Sequence, residues 1–298
     1  MSAAGSNPLL SHAWGISPGA DRVWAQINGF APSTKPWERV FVILQAAIDD
    51  SYTEGKTFVF AGYIATAEAW AGFSRKWEEL LPFARPSNRG IRRFKMSEMV
   101  NRMDDVRAFH RVIEEFVSMS VYIKFDIAEL RNARERIWIE GTAIDWGFAA
   151  DPHSLGFELL LGVFHTRLAI GDFDDPLQKI LSGNTVNFIF DDQSQKGAIR
   201  EGWDRFKASR AEDIEGVFGD DPDFLSDEKF LPLQAADFWA WWVREGYETG
   251  AIDRIKNDDF GTWRGTKHLS GTAIEIDEEG MVQLLMQTLR GRIGMAAP

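Results

Sequence analysis

Val40-Phe41-Val42-Ile43-Leu44-Gln45-Ala46-Ala47-Ile48-Asp49-Asp50 is an apolar run that ends on two carboxylates. A run of this length, rich in β-branched residues, reads as a central strand buried on both faces. Ser51-Tyr52-Thr53-Glu54-Gly55-Lys56 follows as a turn, and Thr57 to Ile64 reads as a second strand closing an antiparallel hairpin. Charge at the edge of a core is costly unless water, hydrogen bonds or a cation compensates. Asp49-Asp50 therefore has two readings, a metal-binding carboxylate at a strand end or a turn-forming Asp pair.

The same ending recurs. Thr185 to Phe190 reads as a strand and runs into Asp191-Asp192. A third carboxylate, Asp237, lies in Leu231-Pro232-Leu233-Gln234-Ala235-Ala236-Asp237-Phe238-Trp239-Ala240-Trp241-Trp242, a helix that is apolar on nearly every face. Such a helix must place Asp237 at or near the core boundary, where an Asp is rarely found unless paired or metal-bound. Three converging carboxylates favour a hard divalent ion, Mg²⁺ or Mn²⁺. Ordinary roles remain open for each: an Arg pair or a backbone amide for Asp237, a turn or helix cap for Asp191-Asp192.

Around these strands, amphipathic periodicity predicts helices over 68–81, 104–118 and 195–211, a buried helix over 154–170, and a helix over 231–247. Strands are expected over 91–96, 120–127 and, in short form, 223–226. The proposed division is an irregular N-terminal extension over 1–38, a main domain over 39–250, and a C-terminal extension with one helix over 251–298. Trp14, Trp24 and Trp37 suggest that the N-terminal extension docks on the body, with a short helix around 21–28. Strands alternating with helices argue for an α/β fold.

Composition narrows the classes. With 33 basic and 45 acidic residues the net charge is −12, which disfavours non-specific nucleic-acid binding. The charge is uneven: Arg85, Arg89, Arg92, Arg93, Lys95, Arg102, Arg107 and Arg111 form one basic track, and Arg131, Arg134 and Arg136 a second. Such a track beside an acidic metal site would suit a phosphodiester; the alternative is a solvated helix face and loop. There is no cysteine, so a disulfide scaffold and a thiolate metal site are excluded. No signal peptide and no membrane-length apolar run is evident, which makes a cytoplasmic location the expectation. No two of the five histidines have metal-ligand spacing.

Four segments carry a resemblance. Ile48-Asp49-Asp50-Ser51, Phe58-Val59-Phe60-Ala61-Gly62, Phe190-Asp191 and Leu233-Gln234-Ala235-Ala236-Asp237 stand in the order of motifs in the bacterial domain-of-unknown-function 3800 family, which the chain resembles over roughly 40–247. Asp50 replaces the family's usual Glu, and Phe94-Lys95-Met96-Ser97-Glu98 lacks the His of the corresponding family segment. The resemblance implies a ribonuclease H-like mixed sheet with helices on both faces. It implies Asp49 on the central strand and Asp237 on the late helix, with Glu98 at the start of an intervening helix. For the neighbouring strand, Asp126 is expected by order of elements and Asp191 by motif. A strand one place further out would put Asp191 roughly 10 Å from the first. Asp49, Asp50, Asp126, Asp191 and Asp237 are thus the metal-ligand candidates.

The implied function is a divalent-metal-dependent nuclease or phosphodiesterase, with Mg²⁺ or Mn²⁺ as cofactor and nucleic acid as substrate. The alternatives are a non-catalytic interaction or regulatory protein, with an oligomer or protein partner, and a hydrolase of a small nucleotide.

Overall fold

The computed structural model describes residues 15–29, 43–53, 56–86, 90–141, 143–170, 176–181, 184–192, 195–209 and 217–293. Trp14, Trp37 and the first residues of the opening run, Val40 to Val42, lie outside these. Six strands form one mixed sheet: β1 (Ile43–Tyr52), β2 (Thr57–Thr66), β3 (Met119–Asp126), β4 (Thr185–Asp191), β5 (Asp223–Leu225) and β6 (Gly271–Ile276). Their order is β5-β4-β1-β2-β3-β6. The β1–β2 and β2–β3 pairs are antiparallel, whereas β1–β4, β4–β5 and β3–β6 are parallel. The molecule is α/β, and this arrangement is consistent with a ribonuclease H-like fold.

Pleating divides the sheet residues between two apolar cores, because successive side chains point to opposite faces. Ala47, Val59, Ala61, Tyr63 and Ile189 face one core. It is covered by α1 (Pro18–Gly29), α2 (Ala67–Leu80), α4 (Met103–Phe116) and α9 (Pro232–Thr249). Leu44, Ala46, Ile48, Phe58, Phe60, Val121 and Phe190 face the other. That core is covered by α5 (Ile127–Arg136), α6 (Pro152–Ile170), α8 (Lys196–Ser209) and α11 (Glu278–Ile293). The short helices α3 (Met96–Met99), α7 (Pro176–Leu181) and α10 (Ile252–Lys256) complete the described α-helices, and two 3-10 turns lie at Leu81–Phe83 and Gly147–Ala149.

Local chemistry sets several boundaries. Thr66 ends β2 and caps α2, its hydroxyl accepting from the Ala69 amide at 3.2 Å. Pro232 opens α9, and Gly250 closes it at φ 71°. Within β2, Gly62 lies opposite Ile48, and a Cβ there would stand 1.9 Å from the Ala47 carbonyl oxygen. The absence of a side chain at 62 is what lets β1 run straight into Asp49.

One expected strand is corrected, and two expected helices gain detail. Residues 91–96 do not form a strand; one isolated bridge joins Pro86 to Arg92 and the chain then enters α3. The Phe94 and Met96 amides, which a sheet neighbour would need, donate instead to Gln234 and Asp237 of α9. The C-terminal part holds the expected helix, α11, which covers one core, and adds β6, which pairs with β3. In the N-terminal part, α1 is longer than expected and docks through Ala20, Val23 and Trp24.

Candidate carboxylate site

β4 lies directly beside β1, with Ile48 opposite Phe190. Asp49 and Asp191 are the next residues on two adjacent parallel strands, so they stand side by side on one face, Asp191 at the end of β4 and Asp49 shortly before β1 ends at Tyr52. Asp191 therefore lies on the strand directly beside β1, without the intervening strand that would have set it roughly 10 Å away. The same alternation puts both beneath α9, which carries Asp237. Asp126 does not join them. β2 separates β3 from β1, and Asp126 pairs with Thr57 whereas Asp49 pairs with Ala61. Four residues along the strand and two strands across amount to ~13 Å and ~10 Å. Asp126 instead pairs with Lys124 at 3.1 Å.

Asp49 is 7% exposed. Its carboxyl is held well above the usual range by burial first, then by the charges of Asp237 and Asp50, with Lys95 acting in the opposite direction and Asp191 adding to the rise. One Asp49 oxygen accepts from the Asp50 amide at 2.9 Å. Asp191 repeats the device, accepting from the Asp192 amide at 2.9 Å and from the Asp227 amide at 3.2 Å. Burial also raises Asp237, opposed by Lys95, the Met96 amide and Arg93.

The segment before α3 supplies the positive charge. Lys95 Nζ stands 3.7 Å from Asp237 Oδ1, and the Met96 amide donates to Asp237 Oδ2 at 2.6 Å. Burial disfavours the Lys95 ammonium, but Asp237, Asp49 and Asp227 outweigh it and raise its pKa. Arg93 pairs with Asp227 at 3.3 Å. Asp227 is itself raised by burial and by Asp191, against Arg93 and Lys95. Glu98, expected at this helix, is half-buried on α3; from this segment it is Lys95 and the Met96 amide that touch Asp237.

Gln234 organises the approach. Its side chain is 1% exposed. Its Oε1 accepts from Trp77 Nε1 at 2.8 Å and from the Phe94 amide at 2.9 Å, and its Nε2 donates to the Asp227 carbonyl at 2.8 Å. One α9 side chain thus ties down α2, the Arg93–Lys95 segment and the Asp227 loop.

Asp50 turns to the opposite face. There it meets His153 Nε2 of α6 at 3.5 Å, and His153 Nδ1 lies 3.1 Å from Asp151. Tyr52, Phe58 and Phe60 surround the imidazole at centroid separations of 5.0–6.0 Å. Burial opposes protonation of His153, yet Asp151 and Asp50 outweigh it and the ring is pushed up to about 9. Asp50 nevertheless borders, with Asp49, Asp191 and Lys196, a cavity of about 10 Å³ at the strand ends. That is room for about one water molecule.

The oxygen-only donor set fits a hard divalent ion in chemistry. As the side chains stand, no group of three or more Asp, Glu, His or Cys among the described residues is arranged as a finished metal cage. Sequence reasoning missed Asp227, Gln234 and the Asp50–His153–Asp151 chain, and counted Arg93 and Lys95 only as parts of a basic track. Nothing in their spacing signals these contacts, which cross up to 157 residues of chain.

No protein-family model matches the chain, and comparison with curated proteins finds no match.

Proposed function

We propose that the protein is a divalent-metal-dependent phosphodiester hydrolase acting on nucleic acid. One observation carries this reading: the β1–β4 pairing sets Asp49 and Asp191 together beneath Asp237, in a cluster of like charges at the core edge that calls for a cation. Asp49, Asp191 and Asp237 would hold Mg²⁺ or Mn²⁺, with Asp50 at the cavity rim. When bound, such an ion polarises a phosphoryl oxygen and lowers the pKa of a coordinated water. The chain's own contribution is positional. The apolar cores behind both faces keep the carboxylates aligned, and Arg93 and Lys95 place positive charge where a phosphate backbone would lie. A second reading, a non-catalytic interaction protein, is favoured by the fact that Asp237 and Asp227 already have Lys95 and Arg93 as partners.

The test is calorimetric titration of Mn²⁺ and Mg²⁺ into wild type, Asp49→Asn and Asp237→Asn, followed by cleavage assays on single- and double-stranded RNA and DNA. The expected result is binding to wild type only, and cleavage reduced at least ~100-fold in both variants, with circular dichroism unchanged. A folded wild type that binds neither ion and cleaves none of the four substrates overturns the proposal in favour of the second reading.

A further inference from the structure

We propose that two facing stretches, 82–86 and 90–93, form a docking surface for single-stranded nucleic acid, with Phe83 as a base-stacking platform and Arg85 and Arg92 on the phosphates. The inference rests on the phosphodiesterase reading for the path of the strand toward the carboxylates, but not for the surface itself.

The composition of this part of the chain is one-sided. From 82 to 97 the sequence has five basic residues and no acidic one, in a chain of net charge −12. The two stretches are also held firmly at their base. Ala84 and Phe94 are buried, and Phe94 stacks against Trp77 and Phe109 while its amide donates to Gln234. The Arg92 guanidinium donates to the Pro82 and Ala84 carbonyls at 2.7 and 2.9 Å, and Pro86 bridges Arg92. From this anchored base two apolar side chains stand out in water, Phe83 at 52% exposure and Ile91 at 40%. A single exposed apolar residue is ordinary. Here the two lie on facing stretches, in company with exposed Arg85 and Arg92.

An exposed ring among guanidinium groups suits a single strand, because the ring stacks on a base while the cations take the phosphates. A duplex keeps its base faces stacked on one another, so a stacking platform selects unpaired nucleotides. Arg92 faces carbonyls and not carboxylates, so its charge is not cancelled. The next basic residues, Arg93 and Lys95, are paired with Asp227 and Asp237. Lys95 lies at most about 10 Å of extended chain beyond Arg92. A strand held at Phe83 and Arg92 is thereby led to the edge of the carboxylate cluster.

The test is fluorescence anisotropy with fluorescein-labelled single-stranded DNA and RNA of mixed sequence and the matching duplexes, in EDTA and again in Ca²⁺. The chains are wild type, Phe83→Ala, Phe83→Trp, Arg85→Gln and Trp138→Ala. Each substituted side chain is exposed, so thermal unfolding should be unchanged. Wild type should bind the single strands more tightly than the duplexes. Phe83→Ala should raise Kd at least ~5-fold, the loss of one stacked base, and Phe83→Trp should keep or tighten binding. Arg85→Gln should make the slope of log affinity against log salt shallower by about 0.7. Trp138→Ala should change nothing, because this exposed ring follows Ile137 of the core on the opposite face of the sheet. No single-strand binding by wild type in either buffer overturns the proposal, as does a preference for duplex or wild-type affinity in Phe83→Ala. Binding to phosphatidylserine vesicles that Phe83→Ala abolishes, at unaltered oligonucleotide affinity, gives the surface to lipid and also overturns it. The two readings fail separately. Single-strand binding that depends on Phe83 and Arg85, in a chain that cleaves nothing with Mg²⁺ or Mn²⁺, keeps the surface and removes the hydrolase. Cleavage that Phe83→Ala and Arg85→Gln retain in full removes the surface and keeps the hydrolase.

Discussion

One residue step along β1 separates Asp49 from Asp50, and the pleat sends their side chains to opposite faces. Asp49 turns toward α9 and a cluster of carboxylates. Asp50 turns toward α6 and the His153 imidazole. A histidine whose folded pKa is raised to about 9 stabilises the fold fully below its unfolded value near 6.5, and that contribution is lost as pH rises through about 9. Wild type should therefore lose on the order of 2 kcal/mol between pH 6.5 and 10 that His153→Gln does not lose. Parallel denaturant titrations of the two proteins across that range measure the difference. Identical pH profiles would show that the imidazole is neutral between its two carboxylates.

At the scale of elements, α9 holds the site together. It covers the face of the sheet on which Asp49 and Asp191 stand, and its Gln234 binds three separate segments. Replacing Gln234 with Leu keeps the volume but leaves the Trp77 indole, the Phe94 amide and the Asp227 carbonyl without this partner. The expected cost is about 2–4 kcal/mol, because buried donors and acceptors are left unsatisfied. It should appear as a lower denaturant midpoint at an unchanged slope. Since Gln234 also fixes the Phe94 amide beside Arg93 and the Asp227 carbonyl, Mn²⁺ affinity should fall as well. A loss below about 0.5 kcal/mol would mean that water replaces all three bonds. The same helix explains why residues 91–96, which have a strand-like pattern, are not a strand. Their amides are consumed by Gln234 and Asp237.

For the molecule as a whole, the two-sided sheet makes the C-terminal region part of the fold. β6 extends the sheet beyond β3, and Met281, Leu285 and Leu289 of α11 are buried in the core shared with α5, α6 and α8. Truncation after residue 250 should expose that core and the edge of β3. The expected outcome is an aggregating or expanded chain, read by size exclusion and near-ultraviolet circular dichroism. A compact, cooperatively unfolding fragment would restore the reading of 251–298 as an appendage. Among the described residues no helix is long and apolar enough to cross a membrane. Most of the described tryptophans, including Trp70, Trp77 and Trp203, are packed in the cores, so the indole surface available to a ligand is small; Trp138, at 77% exposure, is the exception.

How much of this was legible follows from the range of each interaction. The sequence by itself determined the central strands, the buried helix carrying Asp237 and the α/β class, because apolar periodicity records which face of each element is buried. It also marked Asp49, Asp191 and Asp237, since a carboxylate at the end of an apolar run is conspicuous locally. It left Asp126 open, because strand order is a property of the whole sheet; only the β1–β4 pairing placed Asp191 beside Asp49 and left Asp126 on the far side of β2. It passed over β6, a short strand with an exposed face, whose pairing depends on a β3 edge about 150 residues earlier in the chain. Only the tertiary structure decided that Lys95 and Arg93 enter the carboxylate cluster while Arg92 and Arg102 of the same track turn to Pro82, Ala84 and Asp105. Ion pairs formed across more than a hundred residues leave no periodic trace in the chain, because they depend on where packed elements bring two side chains, not on the spacing of either one.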